Sequence, residues 1–310
     1  MSKKMKNTKT ILSIDIGGTK IASCVILGNK IVSPVYTART PDGNKILKVV
    51  EKFYKKLSKR FEINAVGIST AGMVSNNGRI VGSCGNIQNW EGTKVKSILE
   101  KKFKLPVAVE NDANSAAYGE YKIGKAKGAD PLLMITLGTG VGGGLVANGK
   151  LVRGAHFAGG EIGHIKLSYT KQRLCTCGKY DCLEAYASGN GLIALIRHYF
   201  PNLKRPFSTK KLFQLTKSKN KKQILAIRAV EDWHFYIACG ICSLIHETDP
   251  EKVVLSGGLS EQIDIKYLTN ETIKLSLPAM KKPLINGLIV KSNLKNNAGL
   301  LGAGLLASQL

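Results

Sequence analysis

One stretch near the start of the chain decides the fold, Thr10-Ile-Leu-Ser-Ile-Asp-Ile-Gly-Gly-Thr-Lys-Ile-Ala-Ser-Cys-Val-Ile-Leu27. Its apolar residues alternate up to Ile16, two glycines interrupt them, and an extended apolar run resumes at Ile21. This pattern predicts two strands joined by a glycine turn. The pattern returns at residues 132–146, where Gly138-Thr-Gly140 occupies the turn. The repetition predicts a duplicated domain.

Helical and extended patterns alternate between these two hairpins. Apolar residues at helical spacing fill 46–61, Val66–Ser69 is a short strand that leads into Gly72, and 95–103 is helical. A further strand, 106–109, ends at Asn111 and Asp112. Alternating strands and helices predict an α/β sheet protein. A length of 310 residues allows one large domain or two lobes with a cleft between them.

Composition narrows the function classes. The formal charge of +25 comes from 46 Lys and Arg against 21 Asp and Glu. Only eight of these cations are Arg, so a general lysine-rich surface explains the charge as well as a nucleic-acid site does. The uncharged stretch 131–149 contains six glycines, which suits strands and a turn better than a membrane helix. The basic start is followed by a short apolar run that contains Asp15, which does not fit a signal peptide. We expect a cytoplasmic protein that binds neither membranes nor nucleic acid.

The two glycine turns are candidate phosphate sites. Glycine turns expose backbone N–H groups, and phosphate oxygens accept hydrogen bonds from such groups. A single turn of this kind could equally be a structural turn, because Asp and Gly are common turn residues. Two such turns in corresponding positions favour phosphate binding. Asp15, at the end of the first strand, adds a carboxylate that can hold Mg²⁺ beside phosphates, directly or through water.

Asn111 and Asp112 lie between a predicted strand and a predicted helix at 113–121. Ligands of open α/β sheets bind at the carboxyl ends of strands. Asn and Asp are also the preferred N-cap residues, so position alone favours a helix cap. The alternative role for Asp112 is a general base that accepts a proton from a substrate hydroxyl, as phosphoryl transfer to an alcohol requires.

Three cysteines fall close together as Cys175-Thr-Cys177 and Cys182, and His164 precedes them. Four such ligands around Gly178 fit a tetrahedral Zn²⁺ site without an open position, which is typical of structural zinc. A disulfide fits less well, because the number of cysteines in the cluster is odd and the expected compartment is reducing.

Two further patterns have structural interpretations. The pair Cys239-Gly-Ile-Cys242 lies within an apolar helical stripe and is predicted to pack as small hydrophobic residues. The segment 201–222 contains eight basic and no acidic residues, but Leu212, Phe213 and Leu215 interrupt it. We expect a helix with a solvated basic face there, and a polyanion patch is the alternative.

Together these residues make the chain resemble the ROK family of bacterial sugar kinases and related repressors over nearly its full length. The matching motifs are the phosphate turns at 15–20 and 137–144, Glu110-Asn-Asp-Ala-Asn114, Glu161-Ile-Gly-His164, the zinc loop at 175–182, Glu184 and Gly257-Gly258. The resemblance implies the duplicated actin-like (ribonuclease-H-like) ATPase fold, with two lobes and a central cleft. The implied lobes are residues 1–112 plus 296–310, and residues 113–295.

The resemblance also implies residue roles. Asp112 is the catalytic base. The sugar side comprises Gly72, Asn111, Asp112, Glu161, His164 and Glu184, and His164 also binds structural Zn²⁺ together with Cys175, Cys177 and Cys182. The nucleotide side comprises Asp15, Gly17, Gly18, Thr19, Lys20, Gly138, Thr139, Gly140, Gly257 and Gly258. The implied reaction transfers the γ-phosphate of ATP, with Mg²⁺, to the C6 hydroxyl of an aldohexose, and the implied assembly is a homodimer.

Two residues depart from the family pattern. Asp181 stands in the zinc loop where the family commonly has Gly, and we expect the site to survive because Asp tolerates a left-handed turn. Leu259 replaces a third glycine after Gly258, which weakens the match at the nucleotide. The rival classes are a sugar-responsive regulator, disfavoured because fourteen residues before Asp15 leave no room for a DNA-binding domain, and a non-catalytic sugar-binding protein.

The sugar is the least determined feature. Glu161 and Glu184 offer carboxylates to hydroxyls on one side of a pyranose, which suits an aldohexose. The segments 67–74, 87–90 and 184–188 look more like those of N-acetylmannosamine kinases than those of glucokinases, which usually have Pro-Gly in the first of them. N-acetylmannosamine is therefore favoured, and glucose is the second choice.

Overall fold

The computed structural model describes residues 9–82 and 87–310. Within them the strands are β1 (Thr10–Ile16), β2 (Lys20–Leu27), β3 (Lys30–Ile31), β4 (Tyr36–Arg39), β5 (Ala65–Thr70), β6 (Met73–Val74), β7 (Ile80–Gly82), β8 (Val107–Asn111), β9 (Leu132–Leu137), β10 (Val141–Ala147), β11 (Lys150–Leu151), β12 (Lys252–Ser256) and β13 (Ile289–Lys291). The α-helices are α1 (Gly43–Leu57), α2 (Val95–Phe103), α3 (Asp112–Ile123), α4 (Leu183–Ala187), α5 (Gly189–Tyr199), α6 (Thr209–Thr216), α7 (Gln223–Thr248), α8 (Ile265–Leu275), α9 (Lys281–Ile285) and α10 (Ala298–Ala307).

Two sheets share one topology. The first has the strand order β3-β2-β1-β5-β8, with β4 paired to β2, and the second has the order β11-β10-β9-β12-β13. In each sheet the first strand is antiparallel to the strand that follows the glycine turn and parallel to a later one, β5 or β12. The predicted duplication is confirmed, and the two glycine turns occupy corresponding positions.

The two halves exchange helices. Helix α3 follows the first sheet but packs against β9 and β10 of the second, whereas α10 follows the second sheet and packs against β1 and β5 of the first. The helices cross closely, because a side chain at Gly302 would overlap the carbonyl oxygen of Ser115. This crossing brings the N-terminus of α10 to the first sheet, where a Cβ at Gly299 would lie 3.1 Å from Oδ1 of Asp15.

Each sheet has its own hydrophobic core. Ile14, Val50 and Trp90 belong to the core of the first sheet, and Leu133 and Trp233 belong to the core of the second. The predicted stripe of α7 is buried, and its two cysteines pack against the protein only in part. Cys239 and Cys242 are half-buried, and the thiol of Cys242 donates a hydrogen bond to the carbonyl of Leu275 at 3.2 Å. They lie on the edge of the stripe because the buried positions follow Ile237, Ile241 and Leu244.

The basic segment 201–222 contains α6, as predicted. Leu212 and Leu215 are buried against the second core, and the lysines stand on the outer side. Among the described residues, no helix combines the length and the apolar character needed to cross a membrane.

Candidate active site

A cleft with a cavity of about 260 Å³ opens where the strands of the two sheets end. Its walls contain residues from both halves of the duplication. They are Ala71, Gly72, Ile87, Asn111, Asp112, Ala113, Thr136, Gly138, Gly140, Val141, Gly142, Gly143, Gly160, Glu161, His164, Thr176, Glu184 and Gly257. All six residues that the sequence assigned to the sugar side therefore line one cavity.

Asp112 is the first residue of α3 and faces this cavity. Burial raises the pKa of its carboxyl to about 7, and the nearby charges of Asp15 and Glu161 act in the same direction. The backbone N–H of Ala113 donates to Oδ1 at 2.9 Å and opposes the rise. A carboxylate with a pKa near neutrality has the basicity needed to take a proton from a hydroxyl group.

Asn111 is the helix cap. Its side-chain oxygen accepts from the backbone N–H groups of Ala113 at 2.9 Å and Asn114 at 3.1 Å. Its amide nitrogen donates to the carbonyl of Gly72 at 3.1 Å, which ties the first turn of α3 to the loop after β5. The two roles considered for this position thus fall on neighbouring residues, since Asn111 caps the helix and Asp112 faces the cleft.

Glu161, His164 and Glu184 also line the cavity. Burial and the charge of Glu184 raise the pKa of Glu161, and nearby His164 partly offsets the rise. Glu184 is almost fully buried, and its Oε2 accepts from the backbone N–H of Val141 at 3.1 Å. Its Oε1 accepts from the hydroxyl of Thr176 and from the thiol of Cys175. These bonds hold the carboxylate of Glu184, and Glu161 adds a second carboxylate to the cavity wall.

The second glycine turn lines the cavity through Gly138 and Gly140, and Thr139 lies between them in the same turn. The carbonyl of Gly138 accepts from the backbone N–H of Gly189, so this turn is bonded to the start of α5. Gly257, on the next strand end, also lines the cavity and has a φ of 88°, a left-handed conformation that favours glycine.

The first glycine turn stands outside the cavity walls. Gly18, Thr19 and Lys20 are exposed, and Gly17 bonds back to the carbonyl of Lys20 across the turn. Asp15, just before the turn, accepts a hydrogen bond from the hydroxyl of Ser69 at 2.7 Å. Burial raises the pKa of Asp15, while Ser69 and Lys20 act against the rise.

A second cavity of about 410 Å³ adjoins Gly258. Its walls include Gly258, Leu259, Phe213, Lys210 and Lys217. Helix α6 of the basic segment thus lies beside Gly258, which was predicted to be on the nucleotide side. The charge pattern of the sequence did not indicate this position.

The four predicted zinc ligands come together. The ligand atoms of His164, Cys175, Cys177 and Cys182 all lie within 4.8 Å of one another. The Sγ atoms of Cys177 and Cys182 are 3.7 Å apart, close to the spacing of about 3.8 Å that Zn–S bonds of about 2.3 Å impose in a tetrahedron. Lys166 donates a hydrogen bond to the sulfur of Cys182 at 3.1 Å. The residues fit a closed zinc site.

The zinc loop keeps its shape despite Asp181. This residue has a φ of 59°, the left-handed conformation expected at a position where the family commonly has Gly. Its buried carboxylate accepts from the backbone N–H of Arg173 at 2.9 Å and from the hydroxyl of Tyr186 at 2.7 Å. The side chain thus contributes bonds that glycine lacks.

Three residues of the site were not found from the sequence. Thr176 holds Glu184, Ser69 holds Asp15, and Arg153 contacts Glu110 beside the catalytic strand end. The sequence gives one indication that Thr176 belongs to the site, which is its position between two predicted zinc ligands. Ser69 and Arg153 act across long sequence separations, which a single sequence does not reveal.

The ROK family model matches residues 11–310, and the chain belongs to this family. A glucokinase of Streptomyces coelicolor is 34% identical over 320 residues, which cover 96% of this chain and 97% of that protein. A ROK hexokinase structure from Thermus thermophilus matches with a TM-score of 0.81 and 31% identity, covering 97% and 98% of the two chains. A ROK glucokinase from Streptomyces griseus, in complex with glucose and AMPPNP, matches with a TM-score of 0.78 and 29% identity, covering 97% and 100%. The fold is the actin-like ATPase duplication.

The zinc cluster yields a direct prediction. We expect about one zinc per chain in protein purified without chelator, measured by elemental analysis, because all four ligand atoms are within reach of one ion. Cys177→Ser should lose the metal and raise KM for sugar, while the melting temperature should fall only slightly. The effect falls on the sugar because Thr176, in the same loop, bonds to Glu184.

Cys24→Ser is the matched control, since this buried cysteine lies in β2 away from the cluster. It should keep its zinc and its sugar KM. Metal-free wild-type protein, or full activity of Cys177→Ser, would contradict the assignment.

Proposed function

We propose that the protein is an ATP-dependent hexose kinase that phosphorylates the C6 hydroxyl of its sugar. The observation that carries the proposal is the position of Asp112, in one cavity with the carboxylates of Glu161 and Glu184 and with the glycine turn at 138–140. Kinase relatives support it, since a glucokinase of this family binds glucose and an ATP analogue in a matching fold. A regulator or a non-catalytic sugar binder does not need a carboxylate of raised pKa at this position.

The chemistry follows from the geometry. Hydrogen bonds to Glu161, Glu184 and Asn111 would orient the sugar ring, with its C6 hydroxyl against Asp112. The Asp112 carboxylate takes the hydroxyl proton as the oxygen attacks the γ-phosphorus, and the bond to the β-phosphate oxygen breaks. Positioning of the two reactants supplies most of the rate enhancement.

The nucleotide side fits ATP and Mg²⁺. Backbone groups at residues 17–20 and 138–140 would receive the phosphates, with Gly257 and Gly258 near the adenosine. Asp15 has the oxygen donors that Mg²⁺ prefers, and when bound the ion neutralises phosphate charge. Asp15 is held by Ser69, so its carboxylate has a fixed orientation.

The lobes are proposed as residues 1–112 plus 296–310 and residues 113–295. The packing of α10 against β1 and β5 supports the assignment of the last residues to the first lobe. Because the first glycine turn lies outside the cavity walls, binding of ATP across both turns requires the lobes to approach each other, which also excludes water from the transfer.

Replacement of the base tests the proposal. Asp112→Asn should lower turnover by about 10² to 10⁴-fold, the usual cost of losing a general base, while the sugar dissociation constant changes little. A coupled ADP-release assay and calorimetric sugar titration measure the two quantities.

Asp249→Asn is the matched control, because this exposed residue ends α7 in a left-handed conformation that Asn also tolerates. It should retain wild-type turnover. Turnover of Asp112→Asn within tenfold of wild type would rule out the general-base role.

N-acetylmannosamine is the proposed sugar. Ala71 and Ile87 place apolar surface on the cavity wall beside Gly72, where the methyl of an acetamido group can pack. The segments 67–74 and 87–90 that favoured this sugar in the sequence contribute these residues. Glucose is the second candidate, because a relative of 34% identity is a glucokinase.

Parallel kinetics separate the candidates. A site built to bond an acetamido group leaves buried polar groups unpaired when glucose binds, so kcat/KM for N-acetylmannosamine should exceed that for glucose by about tenfold or more. N-acetylglucosamine, the C2 epimer, is the matched control for the acetamido orientation. A clear preference for glucose would overturn the choice of sugar and leave the kinase proposal standing.

We further propose that the protein is a homodimer that pairs through the outer face of α7. Phe235 is 42% exposed on this face, and Cys239 and Cys242 follow it at helical spacing. Residues 229–251 contain no Lys or Arg in a chain that has 46 of them, so this face lacks the lysines that are frequent elsewhere in the chain.

Light scattering during gel filtration tests the dimer. Wild type should give twice the chain mass, and Phe235→Glu should give the monomer mass at the same concentration, because it places unpaired charges at the centre of the face. Lys221→Glu, outside the face, should stay dimeric. A monomeric wild type, or a dimeric Phe235→Glu, would contradict the interface.

A further inference from the structure

Glu110, the residue before Asn111 and Asp112, has its carboxylate buried at the end of β8. Its Oε1 accepts from the backbone N–H of Asn111 at 3.0 Å and from the side-chain amide of Asn114 at 3.1 Å. Glu110 therefore bonds the residues on both sides of Asp112. Nothing in the proposed chemistry uses Glu110, yet a buried carboxylate is costly unless it is paired.

The partner of Glu110 comes from the other half of the duplication. Nε of Arg153 donates to Oε2 of Glu110 at 2.6 Å, and a terminal guanidinium nitrogen lies 2.5 Å from the same oxygen. Arg153 follows β11 of the second sheet, whereas Glu110 belongs to the first. The ion pair thus joins the two sheets immediately behind the cleft.

The main chain of Arg153 holds the sugar-side loop. Its carbonyl accepts from the backbone N–H of Gly159 at 2.8 Å, two residues before Glu161. A Cβ at Gly160, whose φ is 92°, would lie 3.3 Å from Oδ1 of Asn114. The loop that carries Glu161 therefore contacts the same turn of α3 that Glu110 organises.

We propose that Glu110 and Arg153 are positioning residues that set the distance between the base Asp112 and the sugar-side carboxylate Glu161. The pair rests on the proposed kinase function. The side chain of Arg153 is linked to Asp112 through Glu110, and its backbone is linked to the loop that carries Glu161. Without the Arg153 side chain, Asp112 and Glu161 can move independently of each other. A sugar hydroxyl held by Glu161 then meets Asp112 less often in a reactive geometry, and errors of about 1 Å cost up to about 10²-fold in rate.

A ratio of products distinguishes positioning from mere stabilisation. Arg153→Gln should lower kcat by about tenfold to a hundredfold and raise the amount of ADP formed per sugar phosphate above one, because water then competes with a misplaced hydroxyl for the γ-phosphate. A variant that is only partly folded loses both products equally and keeps the ratio at one. The measurement is parallel quantification of ADP and sugar phosphate with saturating sugar, well below the melting temperature.

Three variants complete the test. Arg153→Lys keeps the charge and should bring the ratio of ADP to sugar phosphate part of the way back to one. The double variant Glu110→Gln with Arg153→Gln has no buried unpaired charge, so it should remain folded but still give a ratio above one. Arg60→Gln, an exposed arginine far from Glu110 in the sequence, is the matched control and should behave as wild type.

The outcomes separate this inference from the kinase proposal. If Asp112→Asn is inactive but Arg153→Gln and the double variant keep both wild-type kcat and a product ratio of one, the positioning role is wrong and the base stands. If Asp112→Asn is fully active, the general-base role is wrong, and if the wild type forms no sugar phosphate from ATP and any hexose, the function itself is wrong, whatever Arg153 does.

Discussion

The cleft holds several carboxylates close together where they have little water. Asp112, Glu161 and Glu184 line it, and Asp15 lies near enough to act on the charge of Asp112. Burial raises the pKa of Asp112 to about 7, and the neighbouring acids add to the rise. Such crowding opposes folding and persists because the surroundings over-determine it. The same crowding makes Asp112 basic enough to accept a proton.

Three of these carboxylates have their own support. Ser69 holds Asp15, the first turn of α3 holds Asp112, and the zinc loop holds Glu184 through Thr176. The predicted zinc ligands Cys175 and Cys177 flank Thr176, and a third ligand, His164, lines the cavity, so the cluster adjoins the sugar side. The helix exchange holds the two halves, and therefore these supports, in fixed positions relative to each other, because α3 and α10 cross closely at Gly302.

Much of this was predictable from the sequence, and the reasons are local. Alternating apolar residues interrupted by glycines identify β1–β2 and β9–β10, and the spacing of Cys175, Cys177 and Cys182 identifies the metal cluster. The exchange of α3 and α10 was implied only by the family resemblance, and the bond between Glu110 and Arg153 was not predictable, because each joins residues far apart in sequence. The periodicity of α7 did not reveal that Cys239 and Cys242 are only half-buried, since a stripe gives the buried face but not its edges.

The pH dependence of wild-type turnover shows whether the Asp112 carboxylate is the base. A group whose pKa is raised to about 7 loses its active, charged form as the pH falls through that value. We therefore expect kcat/KM for the sugar to rise with pH, about tenfold per unit below pH 7, and to reach a plateau above it. A kcat/KM that stays constant from about pH 5.5 to 8.5 would contradict it.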